Sequence, residues 1–331
     1  MSSIGIIGAG AWGTALAQAL ASDGSAVTIW AREPELVEEI NTSQTNSLFL
    51  PSARLAETVR ATSDLADFGG LSAILVVTPA QHLARIVSQL PEGPRDLVLC
   101  SKGIEAGTGL LMSDVARNAT PSARLAVLSG PTFAHEVAAG LPTAVTLACA
   151  QGEAQWERLA PLIARPALRP YYSDDVIGAE IGGAVKNVLA IACGVVEGLG
   201  LGQNARAALI ARGYAEMVRF GLARGAKAET LAGLCGLGDL VLTCSSTSSR
   251  NFSLGKALGE GMSAAEALSG KNSVAEGAHT APVLAELALR DGISMPIVVA
   301  VNRLLAGELP ARAVVAELLS RPLRPETEGD V

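Results

Sequence analysis

Short apolar runs alternate with helical periods through the first half of the chain. Ile4–Ile7, Ala26–Trp30, Ala73–Thr78, Leu97–Ser101 and Leu125–Ser129 read as β-strands, and Pro142–Ala150 as a further one. Helices are expected between them over 13–22, 33–41, 80–90 and 108–118, and again over 153–165 ahead of Pro166. Nearly continuous apolar strands between helices predict a parallel sheet covered on both faces. From about Asp175 the pattern changes to long helical periods: 175–198, 204–225, 228–234, 252–260, 263–268, 278–291 and 296–306. No regular strand is expected there. The chain is therefore α/β, with a parallel-sheet domain over 1–175 and an all-helical C-terminal domain over 176–331. Residues 42–56 read as a polar, irregular, exposed loop, and 321–331 as a fraying tail.

The strand Ile4–Ile7 runs directly into Gly8-Ala9-Gly10-Ala11-Trp12-Gly13 and an Ala-rich helix. A GxGxxG between a strand and a helix is the dinucleotide-binding fingerprint, so the sheet domain is Rossmann-type. Gly8 permits the tight turn, Gly10 lets the backbone approach a pyrophosphate, and Gly13 allows close helix–strand packing. The helix N-terminus supplies free N–H groups and positive dipole. The second strand ends in Trp30-Ala31-Arg32-Glu33 without an acid at its tip. Arg32 thus stands where the 2′-phosphate of NADP would be met, and Glu33 with Pro34 reads as a helix start.

Helix 175–198 carries Gly178, Gly182, Lys186, Ala190 and Gly194 on one i, i+4 row. Each interior glycine costs about 1 kcal/mol relative to alanine, so the row calls for a close approach by a ligand, a domain or a neighbouring helix. Lys186 on that bare stripe is either a base facing a ligand, made available by partial burial, or a snorkelling lysine beside a packing groove. A second cluster follows Gly236-Leu237-Gly238 with Asp239, then a hydroxyl-rich run ending in Ser249-Arg250-Asn251. Arg250 and Asn251 at a helix start suit a phosphate, although a solvated capping loop has the same composition. Among the loops at strand tips, Lys102 is the one cation apart from the Arg32 region, and could meet a substrate oxygen or phosphate.

Composition narrows the function class. Aromatics make up 3% of the residues against 49% hydrophobic, so the cores must be aliphatic. A net charge of −7 with scattered Lys and Arg argues against nucleic-acid and membrane-surface binding, but leaves room for a local cationic pocket. Five cysteines without a CxxC pair read as buried, reduced thiols of a cytoplasmic protein. No metal site is expected, since the three histidines are isolated. No signal peptide is expected, since the first residues already read as a strand. Its longest apolar helix, about 181–199, is interrupted by Lys186 and Glu197 and is read as too short to span a bilayer.

Taken together, several stretches resemble the bacterial NAD(P)-dependent glycerol-3-phosphate dehydrogenases. They are GAGAWGTALA (8–17), SKGIEAGTGLL (101–111), LSGPTFAHEVAAGLPTA (128–144), GAEIGGAVKNVLAIACGVVEGLGLGQNARAALIARG (178–213) and GLGDLVLTCSSTSSRN (236–251). Weaker matches continue through VAEGAHTA (274–281) and MPIVVAV (295–301). The resemblance implies a helical domain of the 6-phosphogluconate dehydrogenase C-terminal type. It implies reversible hydride transfer between NAD(P)H and dihydroxyacetone phosphate to give sn-glycerol 3-phosphate for glycerophospholipid synthesis, by a cytoplasmic homodimer. It makes Lys186 the proton acceptor, with Asp239 beside it in the catalytic set. Lys102, Gly130, Thr132, Asp239, Ser249, Arg250 and Asn251 would contact the substrate. Ala11, Trp12, Arg32, Lys102, Ala134, Arg250, Val274 and Glu276 would contact the cofactor, with Gly8, Gly10 and Gly13 shaping its turn. A carboxylate beside the lysine would raise the pKa that burial lowers, and sequence leaves that balance open. His135 departs from the family pattern, as do Ala275 and Ala278. Two other readings remain: a hydroxy- or keto-acid dehydrogenase using His135 as base, and a non-catalytic NAD(P)-sensing protein.

Overall fold

The computed structural model describes residues 4–269, 275–323 and 325. Contacts divide the chain into two compact units, Met1–Ser101 with Met112–Ala179, and Lys102–Leu111 with Glu180–Val331. The short segment 102–111 thus clusters with the helical residues although it follows a sheet strand in sequence.

The first unit holds β1 (Ile4–Ile7), β2 (Val27–Trp30), β3 (Val59–Thr62), β4 (Ala73–Val76), β5 (Asp96–Leu99), β6 (Arg124–Ser129), β7 (Thr143–Cys149) and β8 (Leu168–Ser173). Their order in the sheet is β3-β2-β1-β4-β5-β6-β7-β8. The first six give the 3-2-1-4-5-6 order of a doubly wound dinucleotide fold. Its helices are α1 (Ala11–Leu20), α2 (Pro34–Ser43), α3 (Leu83–Val87), α4 (Met112–Ala119), α5 (Ala134–Ala138) and α6 (Glu153–Ile163). The core is aliphatic, as the composition requires, with Leu16, Ile29, Leu75 and Val98 fully buried.

Two strands escape the sequence pattern, and one pairing departs from the parallel expectation. β3 reads Val-Arg-Ala-Thr and β8 contains Pro170; both lie at sheet edges, where polar residues and proline are tolerated. β7 pairs antiparallel to β6. Only residues 130–142 connect them, carrying the five-residue α5. That is too little chain for a helical crossover back across the sheet, so the strand re-enters from the end at which the previous one left. The longer α6 then restores a parallel pairing between β7 and β8.

The expectation of an exposed loop over 42–56 is overturned at its key positions. α2 continues through Ser43, and Asn46, Leu50 and Leu55 are buried. The polar look of this segment misleads because its polar groups are internally bonded. Glu39 accepts from the Thr45 hydroxyl (2.7 Å) and the Ser47 amide (2.8 Å), which lowers its pKa.

α7 (Val176–Gly198) begins at the end of the first unit and runs through the second, where α8 (Gly202–Ala223), α9 (Ala228–Ala232), α10 (Asp239–Thr243), α11 (Arg250–Gly259), α12 (Ala264–Leu268), α13 (Glu276–Arg290), α14 (Pro296–Leu305) and α15 (Ala311–Leu319) follow. Among the described residues this part has no named strand, as expected. A π-helical turn, Leu234–Gly238, leads into α10. By length and composition α7 is apolar enough to cross a membrane, contrary to the expectation from its charged interruptions, but 89% of its apolar window is buried inside the protein. All five cysteines are buried and outside any disulfide.

Candidate active site

The glycine row on α7 is explained by neighbouring backbone. A Cβ on Gly182 would lie 2.4 Å from the Cys235 carbonyl oxygen in the π turn. A Cβ on Gly194 would lie 2.0 Å from the Phe252 oxygen on α11. The partner helix answers in kind, since a Cβ on Gly255 would meet the Ile191 oxygen at 1.9 Å. Small residues on both helices let their backbones touch. One consequence is that Asp239, directly after the π turn, comes under Lys186, one turn along α7 from Gly182. Another is that the first residues of α11 come against Asn187.

Lys186 is 7% exposed and Asp239 is fully buried. The Lys186 ammonium donates to Asp239 Oδ1 at 2.9 Å and to Thr243 Oγ1 at 2.8 Å. Thr243 in turn donates to Asp239 Oδ1 at 3.1 Å. The other carboxylate oxygen, Oδ2, accepts from Lys102 Nζ at 2.5 Å. Two lysines thus share one carboxylate, leaving a net charge of +1 when both are protonated. Burial drives the Lys186 pKa down to about 8; the Asp239 carboxylate opposes this and the Lys102 ammonium adds to it. Burial also pushes the Asp239 carboxyl up, but the two lysines outweigh it and hold the group below its usual range. The balance that sequence left open therefore falls to desolvation at the lysine and to attraction at the aspartate.

A chain of amides extends this cluster. Asn187 Nδ2 donates to the Lys102 carbonyl at 3.3 Å, and its Oδ1 accepts from Asn251 Nδ2 at 2.9 Å. Asn251 Oδ1 accepts from the Gly277 amide at 2.9 Å, at the start of α13. Ser249 caps α11, accepting from the Phe252 amide at 3.2 Å, so its side chain already has a structural use. Arg250 is the exposed first residue of α11, with the Glu276 carboxylate as its charged neighbour. Lys102, Lys186, Asp239, Arg250, Asn251 and Glu276 all belong to the second unit. Val274 lies outside the described residues.

The remaining expected residues are in the first unit, at or beyond the carboxyl ends of strands. Gly8 has φ +112°, where L side chains are strained. A Cβ on Gly13 would sit 1.8 Å from the Gly8 oxygen, so only glycine permits this helix–strand contact. A Cβ on Gly10 would meet nothing within 4 Å, which leaves open space over the turn. Gly10 caps α1 without a side-chain bond, so the first amides, including those of Ala11 and Trp12, face that space. This arrangement fits a dinucleotide pyrophosphate. Arg32 is exposed and pairs with Glu33 at 2.7 Å, and Glu33 starts α2 as the Pro34 signal suggested. Gly130 has φ +157°, close against β7; Thr132 follows, and Ala134 opens α5.

Sequence reasoning missed Thr243 and Asn187. Thr243 lies four residues after Asp239 on the same helix, a spacing that places both on one face. Asn187 adjoins Lys186, but nothing local marks its link to residue 102.

Comparison with known proteins places the chain in a family. Residues 3–155 match the family model of the NAD-dependent glycerol-3-phosphate dehydrogenase N-terminus, and residues 175–316 that of the C-terminus. The chain is 71% identical over 329 residues to a protein of Erythrobacter litoralis named glycerol-3-phosphate dehydrogenase (NAD(P)+), covering 99% of both. A protein of the same name from Novosphingobium aromaticivorans is 70% identical, covering 98% of both. The crystal structure of glycerol-3-phosphate dehydrogenase from Coxiella burnetii superposes with a TM-score of 0.92 at 40% identity, over 97% of this chain and 99% of that one. The chain belongs to the NAD-dependent glycerol-3-phosphate dehydrogenase family.

Proposed function

We propose that this chain catalyses reversible hydride transfer between NAD(P)H and dihydroxyacetone phosphate, giving sn-glycerol 3-phosphate as a precursor for glycerophospholipids. The observation that carries this reading is the buried Lys186–Asp239–Lys102 cluster: a lysine made titratable near neutrality, next to surplus positive charge for an oxyanion. Residues 1–175 hold the cofactor and 176–331 supply the catalytic and most of the substrate-binding groups. When bound, the nicotinamide supplies a two-electron hydride acceptor or donor. In oxidation, neutral Lys186 takes the C2 hydroxyl proton as the hydride departs from C2, leaving the ketone and an ammonium that later releases its proton to solvent. In reduction, the Lys186 ammonium donates that proton and stabilises the developing alkoxide. Asp239 orients Lys186 through the hydrogen bond to Nζ and keeps Lys102 in place. Arg250 and Asn251, at the N-terminus of α11, bind the substrate phosphate, and Lys102, Gly130, Thr132, Asp239 and Ser249 contact the rest of the substrate.

The direct test is oxidation of NADH and NADPH by the purified protein with dihydroxyacetone phosphate. Turnover with a hydroxy or keto acid in its place, or cofactor binding without turnover, would overturn the assignment. NADPH should be accepted, since β2 is followed directly by Ala31-Arg32 rather than by an acid. Replacing Arg32 by Ala is expected to raise the KM for NADPH more than that for NADH. Equal losses would show that Arg32 does not meet the 2′-phosphate.

Five buried cysteines outside any disulfide support a cytoplasmic site of action. An apolar groove of about 710 Å³ in the second unit, bordered by the exposed Leu319 and Leu323, supports a homodimer closed on that face. Light scattering that returns the 33.7 kDa of one chain would exclude the dimer.

A further inference from the structure

The segment 45–56, expected to be exposed loop, is bolted to the dinucleotide turn. Asn46 is wholly buried. Its Nδ2 donates to the Ala9 carbonyl at 2.9 Å and to Thr14 Oγ1 at 2.7 Å, and its Oδ1 accepts from the Phe49 amide at 3.0 Å. Thr14 closes the triangle by donating to the same Ala9 oxygen at 3.2 Å. Ala9 is the second residue of the glycine motif. In a trans peptide the N–H points opposite to the preceding carbonyl, so holding Ala9 oxygen inward turns the Gly10 N–H outward, into the open space above the turn. Four residues after Asn46, Leu50 packs with Ala15 and Val137, and Ala11, Trp12 and Ala134 lie against the same cluster. At the far end of the segment, the Ala56 amide donates to Gln18 Oε1 on α1 at 2.7 Å. The segment is thus tied to α1 at both ends by buried or half-buried polar bonds and in the middle by apolar contact.

We infer that Asn46 is a positioning residue for the cofactor, acting through Ala9 and Thr14 to aim the amides of the glycine turn at the dinucleotide pyrophosphate. Nothing in the reaction requires a side chain at position 46. A preorganised anion site does require its donors to be fixed before the ligand arrives, since donors free to turn away bind more weakly. A buried asparagine bonding to a motif carbonyl and to a hydroxyl on the following helix does that directly. Leu50 adds the apolar half of the same function by seating the first turn of α1 against α5.

This inference rests on the proposed cofactor chemistry, and the test separates the two. Binding of NADPH and NADH is measured by titration calorimetry, alongside steady-state kinetics and thermal denaturation. Wild-type protein that binds neither nucleotide would overturn the proposed function itself. If it binds, Asn46→Ala and the near-isosteric Thr14→Val should each raise the NADPH Kd and KM by about tenfold, the scale of one buried hydrogen bond. The kcat at saturating NADPH and the KM for dihydroxyacetone phosphate should stay within about twofold, since the altered groups do not touch the substrate. Asn46→Asp keeps an acceptor for the Phe49 amide but loses the donor, so it should show the same loss. Leu48→Ala, at an exposed position of the same segment, should leave cofactor binding unchanged. Unchanged cofactor affinity in a folded Asn46 variant would overturn the inference. So would a parallel rise in both KM values together with a lowered Tm, or failure of all three clamp variants to fold, because each would make the clamp merely structural.

Discussion

Replacing Lys186 by Ala is expected to lower kcat in both directions by about 10³-fold or more while cofactor binding persists. Loss of a positioned general acid–base group accounts for roughly 10²–10⁴-fold, and loss of the cation facing the developing alkoxide adds to it. The wild-type pH profile should carry the signature of the same residue. With its pKa lowered to about 8, Lys186 is neutral above that pH and charged below it. The kcat/KM for oxidation of glycerol 3-phosphate, which needs the amine, should rise with pH through about 8. The kcat/KM for reduction of dihydroxyacetone phosphate, which needs the ammonium, should fall over the same range. Both inflections should vanish in Lys186→Ala. The substitution leaves the buried Asp239 with Lys102 and Thr243 only, so some loss of stability is expected too, and turnover must be compared at a temperature where both proteins are folded. A folded variant that keeps a tenth of wild-type kcat would remove Lys186 from the role of base.

Arg250→Ala should cost at least tenfold in kcat/KM for glycerol 3-phosphate, since a charge-assisted hydrogen bond contributes about 1.5–3 kcal/mol. The protein as a whole is acidic, with a net charge of −7, so a phosphate dianion has to be met by cations gathered locally. Arg250 is exposed at the first position of α11, where the helix amides also point out of the N-terminus. Lys102, the other candidate, already spends its ammonium on Asp239. A change in cofactor KM alone would not decide the matter, because the family resemblance also places Arg250 near the cofactor. Comparing glycerol 3-phosphate with glycerol isolates the phosphate. Wild type should strongly prefer the phosphorylated substrate, and Arg250→Ala should lose much of that preference. An unchanged ratio would move the phosphate to Lys102.

Much of the site was legible because its signals are local. The strand–GxGxxG–helix succession is a continuous stretch whose sterics are set by neighbours in sequence, and Gly8 and Gly13 are found under the constraints expected of them. The lysine was legible as an anomaly, a charge on a stripe of small residues. The stripe itself allowed three explanations, and the close-packed backbones of α7, α11 and the π turn select the neighbouring-helix one.

Other features were hidden for identifiable reasons. β3 and β8 are edge strands that carry exposed Arg60, Arg169, Tyr171 and Tyr172, and β8 is broken by Pro170, so neither shows the apolar run of a buried strand. Segment 45–56 looks like surface because Asn46, Thr45 and Ser47 are polar, but Asn46 is buried against Ala9 and Thr14, and Thr45 and Ser47 bond to Glu39. Polarity in a sequence records what a side chain can bond to, not whether the partner is solvent.

By itself the sequence determined the six inner strands, the change to helices after about residue 175, the dinucleotide turn and the aliphatic character of the cores. Each depends on periodicity or on sterics within a few residues. Only the tertiary structure decided that residues 102, 186, 239 and 243 form one hydrogen-bonded cluster, with contacts 137 and 53 residues apart along the chain. The Lys186–Asp239 contact exists because Gly182 lets the π-turn backbone approach α7, and no local pattern encodes which backbone will arrive. The ionisation of Lys186 belongs to the same class. Its pKa is set by how much water is excluded and by which charges are brought close, and both follow from packing rather than from the residues beside it.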